Sequence, residues 1–438
     1  MTEPDWVQHA IWWQVYPLGF VGAEKAATSD PAAPHRLLDL VGWLDYAVEL
    51  GASGLALGPI FASETHGYDT TDYFAVDYRL GTLEDVDTLF AEAHRRGLRI
   101  LLDGVFNHVG RSFAPFQEVL AAGPEAGTAS WFSLDWPDGA GPGVEPGYRD
   151  FEGHHHLVAL NHAEPAVTDL VVEVMQFWLD RGADGWRLDA AYAVPASFWA
   201  EVTARVRVSH PEAYFVGEYI HGDYAAEVAA GGLDSATQYE LWKAVWSSLN
   251  DGNFFELAAA LDRHTVLLGS FAPLTFVGNH DVTRISSKLD DARLLPLALV
   301  VLLTVGGTPS VYYGDEQGYR GVKEDRIGGD DDIRPLFPPS PEDLSAIGQP
   351  VFALHQELIG LRRRHPWLHR ATTEVLQLSN EVLSYRAVDG DDSLMVALNL
   401  SGAEQRVDAG GASTVLGGQA AVDNGAVILP PQGWGVLD

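Results

Sequence analysis

The sequence predicts an α/β chain: a (β/α)8 barrel of the TIM type, with a short inserted subdomain after its third strand and a C-terminal antiparallel β-sandwich. Three observations predict it. Strand-like and helix-like runs alternate from Ile11 to about Arg364, and the strands reach eight, the number that closes such a barrel. Four of those strands end in acids, imidazoles and amides, which is how a barrel rim supplies chemistry. From about residue 371 the helical spacing gives way to short alternating runs, separated by turns such as Asp389-Gly390 and Asn424-Gly425.

Each element has its own signal. Residues 11–16 are rich in β-formers and closed by Pro17, a first strand. Residues 37–50 carry apolar side chains at helical spacing and stop at Gly51, which predicts one helix. A second strand at 54–57, a helix at 83–96 stopped by Gly97, and a third strand at 98–106 follow. Between Val109 and Leu160 the rhythm breaks, with Gly, Pro and acids clustered from Gly139 to Gly147. A stretch of that length is a functional loop or a small inserted subdomain. Alternation resumes with a helix at 165–180, a strand at 185–188, a helix at 195–208 and a strand at 214–217. A sixth strand falls near 235–238, followed by helical stretches at 239–249 and 254–264. A strand at 274–278, a helix at 293–304, a strand at 310–313 and a last helix at 351–364 complete the pattern. The expected division is 1–108 and 162–370 for the barrel, 109–161 for the insert and 371–438 for the sandwich.

Composition narrows the function. The 438 residues are 47% hydrophobic and include 13 Trp, ample for a large core. A formal net charge of −34 argues against nucleic acid and anionic membrane as partners, because a phosphate binder needs a basic footprint. No apolar stretch is long enough to span a bilayer, and the first residues lack the basic and apolar pattern of a secretion signal. With no Cys there is no disulfide and no thiolate zinc site, so the cytoplasm is the expected location.

The chemistry gathers at strand ends. In Gly185-Trp-Arg-Leu-Asp189, strand alternation points Arg187 and Asp189 the same way while Trp186 and Leu188 face the opposite layer. An isolated pair of this kind is more often a structural ion pair. Here it is accompanied by Asp103 to His108, Phe215 to Glu218 and Phe276 to Asp281, which also end apolar runs in polar residues. The triple His154-His-His156 offers metal ligands, but neighbours on an extended segment alternate in direction, and a contact to sugar is equally open. The run Asp330-Asp-Asp332 lacks calcium-loop spacing and is expected to be a solvated loop.

In order and content the four strand ends resemble the four short motifs of the α-amylase superfamily, glycoside hydrolase family thirteen. His66-Gly-Tyr-Asp69, Val158-Ala-Leu-Asn161 and Tyr313-Gly-Asp-Glu316 resemble further pieces of it. The resemblance implies that Asp189 is the nucleophile, Glu218 the general acid/base and Asp281 the carboxylate that supports the transition state. It also implies that Arg187, His108 and His280 hold the sugar over the platform of Tyr68; Arg334 is expected to reach the sugar from the loop after the eighth strand. Retaining cleavage needs an ionised and a protonated carboxyl about 5 Å apart. Arg187 is expected to favour the ionised nucleophile, and Glu218, with no cation near it in sequence, to keep its proton.

The departures from the family pattern carry information too. Tyr192-Ala193 stands where calcium-dependent members have Lys-His, and Asn107 alone is not a site for a cation that takes six to eight oxygens, so no cofactor is expected and calcium is not required. Thr65 stands where exo-acting α-glucosidases often have a clamping Asp. The pattern is nearest the cyclomaltodextrinase and neopullulanase group, without sequence for the extra N-terminal domain usual there. The expected partner is an oligosaccharide, cleaved at α-glucosidic bonds. Transfer to a sugar acceptor is the first alternative; a non-catalytic sugar-binding relative is the second, and the presence of all three carboxylates argues against it.

Overall fold

The computed structural model describes residues 3–28, 34–326 and 328–438. Eight parallel strands form its central wall: β1 (Trp12–Val15), β2 (Gly54–Leu57), β3 (Arg99–Gly104), β4 (Gly185–Leu188), β5 (Tyr214–Gly217), β6 (Ser235–Ala236), β7 (Leu274–Phe276) and β8 (Thr308–Tyr312). Hydrogen bonding runs β6-β5-β4-β3-β2-β1-β8-β7. The ring closes between β6 and β7 through one parallel bridge, Thr237 to Leu274, where Gln238 N donates to Leu274 O at 2.9 Å.

Alternation along the strands sorts their side chains into two cores. Trp12, Leu101, Tyr214, Val216 and Phe276 fill the barrel interior. Trp13, Leu55, Leu102, Trp186 and Phe215 point outward into the layer shared with the helices. Strands buried on both faces read as continuous apolar runs, which is why most of them stood out in the sequence.

Residues 37–50 form two short helices, Leu37–Val41 and Leu44–Leu50, where one was expected. Gly42 weakens the junction, and Trp43 is drawn into a buried ring cluster with Phe20, Tyr46 and Phe337. The stop at Gly51 is as predicted, with φ of 98°. Elements not expected from the sequence include a hairpin of Phe61–Ser63 with Thr70–Val76, a helix Ala114–Ala122 inside the insert, and a helix Tyr224–Gly231. The rest of the insert is built on a three-stranded antiparallel sheet of His108–Gly110, Asp150–Phe151 and His154–Ala159.

After the helix Gln349–Arg364 the chain enters two antiparallel sheets of five and three strands. They pack over Val382, Met395, Val407, Val427 and Leu429. Among the described residues no helix is long and apolar enough to cross a membrane.

Candidate active site

Arg187 is the hub. It lies level with Asp103 on the neighbouring β3, so both side chains enter the barrel at the same height. Its Nη1 donates to both oxygens of Asp103 (2.8 and 2.9 Å) and to Asp189 Oδ1 (2.9 Å). Its Nη2 lies 2.7 Å from Glu218 Oε1. Burial opposes the charge on this guanidinium, yet Asp103, Glu218 and Asp189 together raise its pKa well above the ordinary value. Two sequence expectations meet the geometry here. Glu218 does have a cation, because β4 and β5 are adjacent and the strand ends bring Arg187 to it. Arg187 does pull Asp189 toward the ionised form, as expected, but burial opposes it, the negative charges of Glu218, Asp103 and Asp281 act in the same direction as burial, and the pKa is raised well above the ordinary carboxylate range.

Asp281 goes the other way. Burial pushes it up, but His280, Arg334 and Arg187 hold it well below the ordinary range. His280 Nε2 sits 2.9 Å from Asp281 Oδ2, and Arg334 Nη2 donates to Asp281 Oδ1 at 2.9 Å. Gln14 Nε2 donates to His280 Nδ1 at 3.1 Å, which leaves the proton on Nε2, facing Asp281.

Tyr68 hangs from the loop of the hairpin. Gly67 turns that loop at φ of 90°, and Tyr68 N donates to His66 Nδ1 at 3.2 Å. The Tyr68 ring lies parallel to His280, centroids 5.4 Å apart at 3°, and the Tyr16 ring is also parallel to His280, at 6.2 Å and 3°. The Tyr68 hydroxyl donates to Asp103 Oδ2 at 3.0 Å and also contacts His280 Nε2. Arg334 covers the Tyr16 ring at 4.7 Å. Thr65 is tied by its backbone N–H to Asp69 Oδ1 at 3.1 Å, which fixes the start of the same loop.

His108 plays a supporting part in this structure. Asn107 Nδ2 donates to its Nδ1 at 3.1 Å, so Nε2 carries the proton and donates to the backbone carbonyl of Tyr68 at 3.0 Å. Burial pushes its pKa down to about 3, leaving a neutral ring stacked on Phe151 at 4.5 Å. Both nitrogens are thus committed inside the protein.

A cavity of about 1430 Å³ adjoins this network, lined by Tyr16, His66, Asp281 and Arg334 together with His154 and His156 of the insert. His155 points elsewhere, to Asp150 at 2.6 Å, so the triple histidine splits as strand alternation demands. The acidic run is more engaged than a solvated loop: Asp330 pairs with Arg334 at 3.2 Å, and Asp331 pairs with Lys25 across the mouth. Asp315 and Glu316 lie behind the rim, bonded to Arg284 (2.8 Å) and Tyr46 (2.9 Å).

The structure therefore brings Asp189, Glu218, Asp281, Tyr68, Arg187, His280 and Arg334 to one site, with His108 beneath it. Asp103, Gln14, Tyr16, Tyr239 and Asn279 are site residues to which the sequence assigned no role. Asp103 had a signal, an acid at the inward parity of an apolar strand; the others become visible only when separate strands are brought together.

A barrel that gathers buried carboxylates at its strand ends, under an open cavity with stacked aromatic rings, is built for attack on a neutral polar substrate. The family model described as "Alpha amylase, catalytic domain" matches residues 14–337, and the chain belongs to that family. It is 32% identical over 425 residues to a cyclomaltodextrinase of Geobacillus thermopakistaniensis (strain MAS1), covering 91% of this chain and 70% of the relative. It is 31% identical over 433 residues to Neopullulanase 2 of Thermoactinomyces vulgaris, covering 93% and 72%. The ligand-free structure of the cyclic alpha-maltosyl-(1→6)-maltose hydrolase of Arthrobacter globiformis superposes with a TM-score of 0.84 at 27% identity, covering 99% of each chain. The protein is a glycoside hydrolase of the α-glycosidase class.

Proposed function

We propose that the enzyme cleaves α-glucosidic bonds of short linear or cyclic α-glucans by a retaining mechanism. Asp189 attacks the anomeric carbon, Glu218 protonates the departing oxygen and then activates water, and Asp281 stabilises the positive charge that develops on the sugar ring. The observation that carries this reading is the single Arg187 guanidinium paired with both Asp189 and Glu218, which holds a nucleophile and an acid on two sides of one cation. Tyr68, held parallel to His280 by its hydroxyl contact, gives the sugar ring a flat apolar platform, and Arg334 keeps Asp281 charged.

Similarity to a cyclomaltodextrinase and a neopullulanase supports small α-glucans as substrates. The cavity exceeds the ~300–1,000 Å³ of a small-molecule pocket, which suits more than one sugar unit. In the insert, Phe151 stacks on His108 at 4.5 Å and Tyr148 packs edge-on against Phe116 at 5.1 Å. The enzyme works in the cytoplasm and without calcium: Tyr192-Ala193 stands where calcium-dependent members have Lys-His, and Tyr192 donates to Glu152 at 2.8 Å. A product profile across maltotriose, cyclomaltodextrin, pullulan and soluble starch, before and after dialysis against a chelator, tests this. Higher kcat/KM on the oligosaccharides, unchanged by the chelator, is expected. Rapid viscosity loss of starch before small sugars form, or activity restored only by calcium, contradicts it.

A further inference from the structure

Glu218 has a second set of partners, carried by the segments that follow β6 and β7. Asp281 N donates to Asn279 Oδ1 at 2.8 Å. A backbone N–H can only donate, so this bond fixes the orientation of the Asn279 amide and turns its Nδ2 outward. Nδ2 donates to the hydroxyl oxygen of Tyr239 at 3.0 Å. With that lone pair occupied, the Tyr239 hydroxyl proton is directed to Glu218 Oε1, 3.1 Å away. Tyr239 and Asn279 are both buried, and burial, together with the charges of Glu218 and Asp281, raises the phenol far enough that it remains a donor.

Oε1 of Glu218 thus faces two donors, the Tyr239 hydroxyl and Arg187 Nη2. Among the described residues Oε2 accepts from Ala190 N at 3.0 Å, a bond that a protonated oxygen keeps with its remaining lone pair. Ala190 itself takes a left-handed φ of 45°, a strained conformation for a residue with a Cβ, immediately after Asp189.

We propose that Tyr239, locked by Asn279, is a positioning residue that confines the Glu218 carboxyl proton to Oε2, from which it passes to the departing glycosidic oxygen. This rests on the reading of Glu218 as the general acid. In the step it serves, the bond between the anomeric carbon and the glycosidic oxygen breaks with its electron pair going to oxygen. The Oε2 proton goes to that oxygen, and Asp189 forms an ester to the anomeric carbon. Water, giving its proton back to Glu218, then cleaves the ester. Asn279 joins the acid on β5 to the loop that carries Asp281, so two carboxylates from separate strands share one hydrogen-bonded frame.

A departing fluoride needs little help from an acid, whereas a departing sugar needs a proton. The test is therefore the ratio of kcat/KM on maltotriose to kcat/KM on α-maltosyl fluoride, measured for the full-length enzyme, Tyr239→Phe and Glu218→Gln. Loss of one hydrogen bond to a carboxyl that becomes charged as its proton leaves is expected to lower this ratio about tenfold in Tyr239→Phe. Asn279→Ala, which leaves the phenol in place but unlocked, is expected to lower it in the same direction; this keeps the test open if Tyr239→Phe does not fold. A ratio unchanged in both variants, while Glu218→Gln lowers it strongly, overturns the role of Tyr239 and leaves the acid assignment standing. If Glu218→Gln itself leaves the ratio unchanged, the acid assignment fails, and the role of Tyr239 with it.

Discussion

Asp189 and Asp281 are acids at neighbouring rims whose surroundings drive them apart. Asp189 is raised by burial among other carboxylates, and Asp281 is held down by His280 and Arg334. The nucleophile must lose its proton before it attacks, so kcat/KM on a neutral oligosaccharide should fall on the acid side at a pH above the ordinary aspartate value of about 3.9. An acid limb at or below that value, in a pH–rate profile, contradicts the raised nucleophile. The same shift has a stability consequence. With its folded pKa above the unfolded one, Asp189 costs nothing at pH below the unfolded value and costs progressively more as pH rises from the unfolded value to the folded one. Asp189→Asn should therefore lose activity on the order of 10⁴-fold or more, yet melt higher than the parent at neutral pH, with the gain shrinking as pH is lowered. Melting scans of both proteins at several pH values check this; a variant that melts below the parent at neutral pH refutes it.

At the scale of elements, the platform depends on a tight loop. Gly67 stands at φ of 90°, and a Cβ there would lie 3.2 Å from the Pro59 side chain, so Gly67→Ala is strained in both backbone and contact. The expected cost is about 1 kcal/mol of stability, with a several-fold rise in KM because Tyr68 is displaced from His280. Substrate titration and thermal melting read the two effects separately, and an unchanged KM would mean that the loop does not set the platform. This hairpin was not legible in the sequence, since its irregular register breaks the alternation that marks a strand. The strand at Gly185–Leu188 was legible to the residue, because a short apolar run that opens on Gly and holds one inward arginine fits a strand and is too brief for a helix. The electrostatics of the site were not. Arg187 is near Asp189 in sequence but reaches Glu218 and Asp103 only through the order of strands in the wall, and a sequence shows charges without the burial that decides which of them keep a proton.

Across the whole molecule, one face of the barrel assembles the chemistry while the insert and the loops after β1 and β8 enclose it. The eightfold alternation and the change to a sandwich were legible in the sequence, because both rest on periodicity. Closure of the wall between β6 and β7 rests on a two-residue strand and one bridge, too short to leave a pattern. The central claim, a nucleophile and an acid sharing one guanidinium and working by double displacement, has a direct readout in the anomer first released. Proton NMR recorded in the first minutes of maltotriose hydrolysis, before mutarotation, should show the new reducing end appearing in the α configuration. Initial appearance of the β anomer would contradict the assignment of Asp189 as nucleophile and require that a water, not this carboxylate, attacks the anomeric carbon.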